Sequence, residues 1–185
     1  MLASYTLTSE NKKFDFFRNL ILSMSRLNFK GLTYTKKDDD YETTSKTLEC
    51  LLPYIEETAT IYDPFYCNGF VVEEWKSLNR KCINEDKNAF DRDAPDFDVL
   101  VSNIPFSLKK QCMELAFSYD KPFALLMTID SLGSKWIKKY FDKIQIIIPD
   151  GRWSFHKKDK KTTSAWFDTC WITYNLGLEE KIIKL

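Results

Sequence analysis

Two short segments carry the side chains in this sequence that are best suited to chemistry. The first, DPFYCNG at residues 63–69, follows a predicted strand and combines a carboxylate with a turn-forming glycine. The second, SNIPFS at residues 102–107, follows another predicted strand and places a carboxamide before a proline and an aromatic ring. Ligands of open α/β sheets bind at the carboxyl ends of the strands, so two such loops predict a shared site.

The pattern of the chain predicts the elements that must position these loops. We expect helices over residues 44–54, 71–79, 108–119 and 134–140, and strands over residues 60–62, 82–83, 98–102, 123–128, 144–148 and 165–174. Helices alternating with short, nearly all-apolar strands are typical of a parallel sheet covered on both faces. The polar segment 150–164 is too short for a crossover helix, so the last two strands should pair antiparallel. The predicted fold class is α/β, with a mostly parallel sheet that ends in an antiparallel hairpin.

Residues 1–40 are predicted to form a helical extension ahead of a main domain that spans residues 41–185. The length of 185 residues fits one domain better than two. Apolar side chains recur near the start at the spacing of an amphipathic helix, at Phe14, Phe17, Ile21 and Met24. The apolar face of this helix could cover the sheet or bind a protein partner, and the sequence leaves both open.

The composition argues against several classes of function. The formal net charge is zero, so a nucleic-acid partner would have to be met by a local patch. Five scattered cysteines and one histidine offer no zinc spacing, and we expect no metal site. There are five glycines and no G-x-G-x-x-G motif, which argues against a nicotinamide-dependent enzyme.

The sequence also predicts where the protein works. Its start lacks a charged-then-apolar signal pattern, and no run approaches the ~20 apolar residues of a membrane span. The scattered cysteines are typical of core residues in a reducing compartment. We therefore expect a soluble, intracellular protein of the cytoplasm or nucleus, with no membrane contact.

Taken together, with an acidic segment between them, the two loops resemble those of methyltransferases that use S-adenosylmethionine (AdoMet) to methylate the exocyclic N6 amine of adenine in nucleic acid. That family carries a D-P-F-C-G-S-G-like loop and an N-P-P-F/Y loop, and the resemblance spans residues 41–174. It implies a Rossmann-like class I methyltransferase fold with a seven-stranded type of sheet, AdoMet as the cofactor, and DNA or RNA as the partner. Residues 98–110 look like compact viral and phage members, which would place the protein in an infected host cell.

The resemblance implies which residues would hold AdoMet. The first loop wraps the methionine part of the cofactor in the family, which assigns it Asp63, Phe65, Asn68 and Gly69. Carboxylates after the next strand bind the cofactor's ribose hydroxyls, a role that falls here on Glu85 or Asp86, with simple solvation of these carboxylates as the alternative. Tyr41 and Thr43 correspond to a segment that closes over the cofactor, and a helix N-cap role for Thr43 or Thr44 is the alternative.

The resemblance assigns the transfer step to the second loop. An adenine amine is a poor nucleophile because its lone pair is conjugated with the ring, and fixed hydrogen-bond acceptors can align it without a strong base. Asn103 would accept one amine hydrogen through its side-chain oxygen, and the carbonyl of Ile104 would accept the other. Pro105 would brace the backbone, and Phe106 would stack on the target base.

The segment 151–161 is the predicted nucleic-acid contact because it interleaves aromatic and basic side chains. Its candidate substrate residues are Arg152, Trp153, Lys157 and Lys158, which suit phosphate contact and base stacking. A solvated loop without a binding role is the alternative.

Three departures from the family motifs favour a second function. Ile104 stands where the family has the first of two prolines, and Cys67 and Asn68 replace small residues. The alternative is a catalytically inactive, methyltransferase-like subunit that binds nucleic acid or a partner protein.

Overall fold

A computed structural model describes residues 41–90, 94–156, 162–164 and 167–185. The helix expected within residues 1–40 lies outside this part of the chain.

The described residues form ten strands, three α-helices and four 3-10 helices. The strands are β1 (Glu42–Thr43), β2 (Thr60–Tyr62), β3 (Lys81–Ile83), β4 (Val99–Asn103), β5 (Phe123–Thr128), β6 (Ile144–Ile148), β7 (Ser154–His156), β8 (Thr162–Ser164), β9 (Thr169–Tyr174) and β10 (Ile182–Lys184). The α-helices are α1 (Ser45–Leu48), α2 (Phe70–Ser77) and α3 (Lys109–Ser118). The 3-10 helices span Glu49–Tyr54, Phe106–Leu108, Ile129–Gly133 and Lys138–Tyr140.

Seven strands form the main sheet, in the order β10-β6-β9-β5-β4-β2-β3. Strand β9 runs antiparallel to both of its neighbours, β5 and β6, and every other pairing in this sheet is parallel. The predicted α/β class, with a mostly parallel sheet ending in an antiparallel pair, is therefore confirmed. Strand β5 lies in the middle of the sheet, and all six of its residues are buried. This position explains why the strand is nearly all apolar.

A second, smaller sheet was not predicted. It has the order β1-β7-β8, with Glu42 paired to His156 and Thr43 paired to Phe155. Its strands are two or three residues long and mostly polar, so no apolar run marks them in the sequence. Strand β10, a parallel edge strand beside β6, was also not predicted.

The predicted helix over residues 134–140 is wrong. Ser134 has an extended backbone, with ψ of 146°, and only Lys138–Tyr140 form a 3-10 turn. Tertiary contacts hold this segment instead, because Ile137 is fully buried and Tyr140 stacks on Phe117 with ring centroids 4.5 Å apart. A helix this short gains little from its own hydrogen bonds, so packing decides the conformation.

Core packing fixes the region before β2 on the main sheet. Trp171 of β9 is fully buried, and its Nε1 donates to the carbonyl of Thr47 in α1 at 3.1 Å.

Cys112 and Cys170 are buried free cysteines, and burial raises the pKa of Cys170 to about 12. No described helix has the length and apolar character needed to cross a membrane.

Candidate functional site

The two loops meet at one edge of the main sheet. Strands β2 and β4 are parallel neighbours, with Tyr62 opposite Leu100, so the loops that follow them leave the sheet side by side. The hydroxyl of Ser102 donates to Oδ1 of Asp63 at 2.6 Å. This bond joins the end of β4 directly to the first loop, as a shared site requires.

Asp63 is a carboxyl group held away from water. It is 4% exposed, and its Oδ1 also accepts a hydrogen bond from the backbone N–H of Phe65 at 3.1 Å. Burial raises the pKa of Asp63 to about 7, although the hydrogen bonds from Ser102 and Phe65 act in the opposite direction. A cationic ligand would favour the ionised form of this group.

The first loop turns sharply before helix α2. Asn68 and Gly69 both have left-handed backbones, with φ of 56° and 68°, and Gly69 precedes the first residue of the helix. A Cβ atom on Gly69 would lie 3.1 Å from Cε2 of Tyr66, so a side chain would meet both strain and a neighbour. Glycine is therefore favoured at this turn by conformation and by space.

Asn84 is a residue of the site that the sequence analysis missed. It follows β3, and its Nδ2 donates to the carbonyl of Asp63 at 2.9 Å and to that of Phe65 at 3.4 Å. Its side chain thus fixes the start of the first loop from the neighbouring strand. The only signal in the sequence was its position after a predicted strand, which does not distinguish it from other polar residues there.

Asn103 ends β4 with one half of its amide satisfied. Its Nδ2 donates to the backbone carbonyl of Tyr41 at 2.7 Å. Its Oδ1 is buried and has no hydrogen-bond partner among the described residues. The bond to a carbonyl fixes the amide orientation, because only the nitrogen can donate to Tyr41. The side-chain oxygen is therefore an oriented, unused acceptor.

The rest of the second loop is more enclosed than the sequence suggested. Ile104 belongs to the buried core, and Pro105 precedes the 3-10 helix that begins at Phe106. Phe106 is 2% exposed and packs edge-on against Phe167, with ring centroids 5.1 Å apart. Stacking on a base needs an open ring face, so the expected role of Phe106 does not fit this conformation unless Phe167 moves.

Tyr41 and Thr43 lie in or beside β1, next to both loops. The Tyr41 ring meets Phe167 edge-on at 5.4 Å, and Thr43 is buried. Thr44 occupies the N-cap position of α1, but its hydroxyl donates to the carbonyl of Ser154 at 3.1 Å and makes no side-chain cap bond. Its side chain therefore ties α1 to β7.

Glu42 is a second site residue that the sequence analysis missed. It is 8% exposed, and its Oε1 accepts a hydrogen bond from Nδ2 of Asn68 at 3.1 Å. Strand β1 consequently contacts the first loop through Glu42 and the second through the Tyr41 carbonyl.

The segment 83–90, which carries Glu85 and Asp86, contacts the first loop through a pair of aromatic rings. Phe90 is 42% exposed, and its ring centroid is 5.7 Å from that of Phe65. Glu85 pairs with Lys87 at 3.3 Å, and Asp86 is exposed. The structure thus leaves both carboxylates near solvent.

The predicted substrate residues divide into three groups. Arg152 is half exposed and pairs with Asp168 at 2.7 Å. Trp153 is 8% exposed and packs against Trp171 at 6.1 Å, so its expected stacking on nucleic acid is wrong for this conformation: it is a core residue. Lys157 and Lys158 lie outside the described residues.

Within the described ranges, no group of three or more histidine, cysteine, aspartate or glutamate side chains is placed to hold a metal ion.

Comparison with solved structures identifies the fold. The chain matches a protein from Listeria monocytogenes assigned as a class I S-adenosylmethionine-dependent methyltransferase, with a TM-score of 0.52, 12% identity, and coverage of 92% of this chain and 71% of that one. A protein from Pyrococcus horikoshii assigned as an RNA methyltransferase matches with a TM-score of 0.49 and 14% identity over 84% of this chain and 96% of that one. No protein-family model and no curated protein matches the sequence. Together with the sheet order, the first match shows that the chain has the Rossmann-like class I methyltransferase fold.

Proposed function

We propose that this protein transfers a methyl group from AdoMet to the exocyclic N6 amine of adenine in DNA or RNA. The observation that carries the proposal is the Asn103 amide, whose Oδ1 is buried, oriented and without a partner among the described residues. A buried acceptor of this kind costs stability unless a ligand completes it. An amine that donates a hydrogen bond would complete it, and the position of Asn103 at the ligand edge of the sheet favours a ligand in this role.

The first loop fits the methionine part of AdoMet. The described residues give the buried carboxyl of Asp63 two hydrogen bonds and no ion pair, and the α-ammonium group of the cofactor would supply the missing cation. The left-handed turn at Asn68 and Gly69 allows the backbone to approach a ligand closely. Phe65, together with Glu85 or Asp86, would complete the cofactor site on the side of β3.

AdoMet would provide the electrophilic methyl group on its sulfonium centre. The chain's own contribution is to align the amine for attack. Asn103 Oδ1 accepts one amine hydrogen, and the Tyr41 carbonyl prevents the amide from turning away by holding Nδ2. Positive charge that develops on the amine nitrogen during transfer would be stabilised by this fixed dipole without reorganisation, and the methylated nitrogen would then release one proton to solvent. Ile104 would present its backbone carbonyl to the second hydrogen.

Labelled AdoMet tests the proposal directly. We expect methyl label on poly(A) or adenine-containing DNA, none on poly(C), and N6-methyladenine as the modified base by mass spectrometry. Asn103→Ala should lower the rate at least about 100-fold, because it removes a preorganised polar group at the reacting amine. Label on poly(C), or an unchanged rate in Asn103→Ala, would refute the assignment.

A matched control variant exists at the opposite edge of the sheet. Asn175 follows β9, whose last residue, Tyr174, pairs with the first residue of β5. Its φ of 52° is one that glycine adopts without strain. Asn175→Gly should therefore leave the rate of methylation unchanged.

The inactive binding subunit is the second candidate, and the burial of Phe106 is the observation that favours it. A buried ring offers no platform for a base, so such a chain would bind nucleic acid without turning over. Calorimetric titration with AdoMet separates the two functions, since the enzyme must release or absorb heat with a one-to-one stoichiometry. Nucleic-acid binding with no AdoMet binding would favour the subunit.

A further inference from the structure

We propose that Glu42 is a positioning residue that couples the cofactor loop to the Asn103 amide through strand β1. Its catalytic consequence rests on the proposed function, whereas the coupling itself is a property of the chain and can be measured without turnover.

The first link is the bond between Glu42 and the first loop. Oε1 of Glu42 accepts from Nδ2 of Asn68, which is the first of the two left-handed residues of the turn. Gly69 completes that turn and precedes helix α2. Any ligand that orders the turn therefore also sets the position of the Glu42 side chain.

The second link is one residue away along the chain. The carbonyl of Tyr41 accepts from Nδ2 of Asn103 at 2.7 Å, which determines where the free Oδ1 points. A displacement of Glu42 moves the neighbouring peptide group, and with it this carbonyl. The path from the cofactor loop to the acceptor oxygen contains two side-chain hydrogen bonds and a single backbone step.

Strand β1 is short, and side-chain hydrogen bonds from residues in and beside it hold it on two sides. It is two residues long, and among the described strands it pairs with β7 alone. Thr44 strengthens that side by donating to the carbonyl of Ser154. The backbone N–H of Ser45, just after the strand, donates to the carboxylate of Glu74 in α2. The bond from Glu42 to Asn68 is the contact that joins β1 to the first loop.

The identity of the side chain supports a polar role for Glu42. Burying a carboxyl group at 8% exposure costs free energy that an apolar residue of similar size would avoid. Packing alone therefore does not explain a glutamate at this position, whereas the hydrogen bond to Asn68 does.

Nuclear magnetic resonance of the full chain tests the coupling. The Asn103 side-chain amide signals are assigned as the pair missing from the spectrum of Asn103→Asp. In Glu42→Ala these signals should shift even without ligand, the AdoMet dissociation constant should rise about tenfold, and kcat should fall about tenfold with an unchanged KM for poly(A). Glu42→Gln should restore most of each value, since its amide oxygen accepts the same bond.

Two further variants keep the test decisive. Asn68→Gly retains the left-handed backbone and removes the same bond from the other side, so it should reproduce Glu42→Ala, and the double variant should add nothing. Glu73→Ala, on an exposed glutamate of α2 paired with Lys76, should change none of these quantities. If Glu42→Ala does not fold, Asn68→Gly decides alone.

The outcomes also separate this inference from the proposed function. Unshifted Asn103 amide signals in folded Glu42→Ala or Asn68→Gly would overturn the coupling, whatever the activity. A wild-type protein that neither binds AdoMet nor methylates adenine would refute the proposed function, and the amide signals of the ligand-free variants would still decide the coupling.

Discussion

The two loops at the carboxyl edge of the sheet differ in how fully the protein satisfies their polar groups. In the first loop, Asp63 accepts hydrogen bonds at Oδ1 from Ser102 and Phe65 and at its carbonyl from Asn84. In the second, the Asn103 donor is paired, whereas its acceptor has no partner among the described residues. Oδ1 of Asn84, which braces the first loop from β3, is likewise buried without a partner among the described residues. The unpaired amide oxygen thus belongs to a bracing residue at the first loop and to the loop's own Asn103 at the second. Under the proposed function, the Asn103 oxygen is the one that would meet the substrate amine.

The largest expected effect is that of Asp63→Asn, which removes the carboxylate and keeps the shape of the side chain. Without a negative charge for the α-ammonium group, AdoMet binding should fall at least about 100-fold. Calorimetric titration at pH 8 measures this loss. Binding within threefold of wild type would show that Asp63 does not face the cofactor.

The same variant should become more stable than wild type as pH rises. The pKa of Asp63 is about 7 in the folded chain, against an ordinary aspartate value of 3.8, so the folded chain holds a proton that the unfolded chain has lost. The contribution of this carboxyl group to the stability of wild type is therefore fully present below about pH 4 and is lost as pH rises through about 7. The advantage of Asp63→Asn should grow over this window to at most about 4 kcal/mol. Urea unfolding at pH 5, 7 and 8.5 checks the trend, and a constant difference would contradict it.

A smaller effect is expected from Ser102→Ala, which weakens the bond between the loops. Loss of the Ser102 donor should raise the pKa of Asp63 further, since that hydrogen bond favours the ionised form. AdoMet binding should weaken about tenfold at pH 7 and recover toward pH 9, as titration at several pH values would show. Ser118→Ala removes an exposed hydroxyl that bonds its own helix at Leu115, and it should have no effect. Equal weakening of Ser102→Ala at all pH values would indicate a packing defect instead.

Most strands of the main sheet could be predicted because they are short, mainly apolar runs, whereas the edge strand β10 was missed. The bounds of β2, β5 and β6 agree with those expected, and the antiparallel pairing of β9 followed from the short polar connection before it. The positions of Asp63 and Asn103 could be predicted for a related reason, because polar residues at the ends of neighbouring parallel strands lie at the same edge of the sheet. Their roles stay predictions.

The contacts between distant segments could not be predicted. Glu42 meets Asn68 across 26 residues, and its partner is decided by the small sheet, which has no periodic signal. The burial of two aromatic rings could not be predicted either. Phe106 and Trp153 lie in segments that look like polar loops, and only the packing of Phe167 and Trp171 shows that their rings are enclosed.

Gly69→Ala tests whether the left-handed turn of the first loop depends on glycine. A φ of 68° costs an L-residue about 1 kcal/mol, and the added Cβ would crowd the Tyr66 ring at 3.1 Å. We expect a stability loss of roughly 1 to 2 kcal/mol by urea unfolding. Tyr66→Ala in the same chain should recover the steric part only. Gly133→Ala, where a Cβ meets nothing within 4 Å, should be nearly neutral, and an equal loss there would undo the argument.

The smallest effect is expected at Arg152, which lies outside both loops. Its substitution tests whether residues beside the two loops contact nucleic acid. The ion pair of Arg152 with Asp168 is about half exposed, so Arg152→Ala should cost less than about 1 kcal/mol of stability. Trp153→Ala should cost about 3 to 5 kcal/mol, because that ring belongs to the core. If Arg152 contacts phosphate, its removal should lower the salt dependence of poly(A) binding by about one counterion, as measured by fluorescence anisotropy. An unchanged salt slope would limit Arg152 to its bond with Asp168 and leave nucleic-acid contact to other residues.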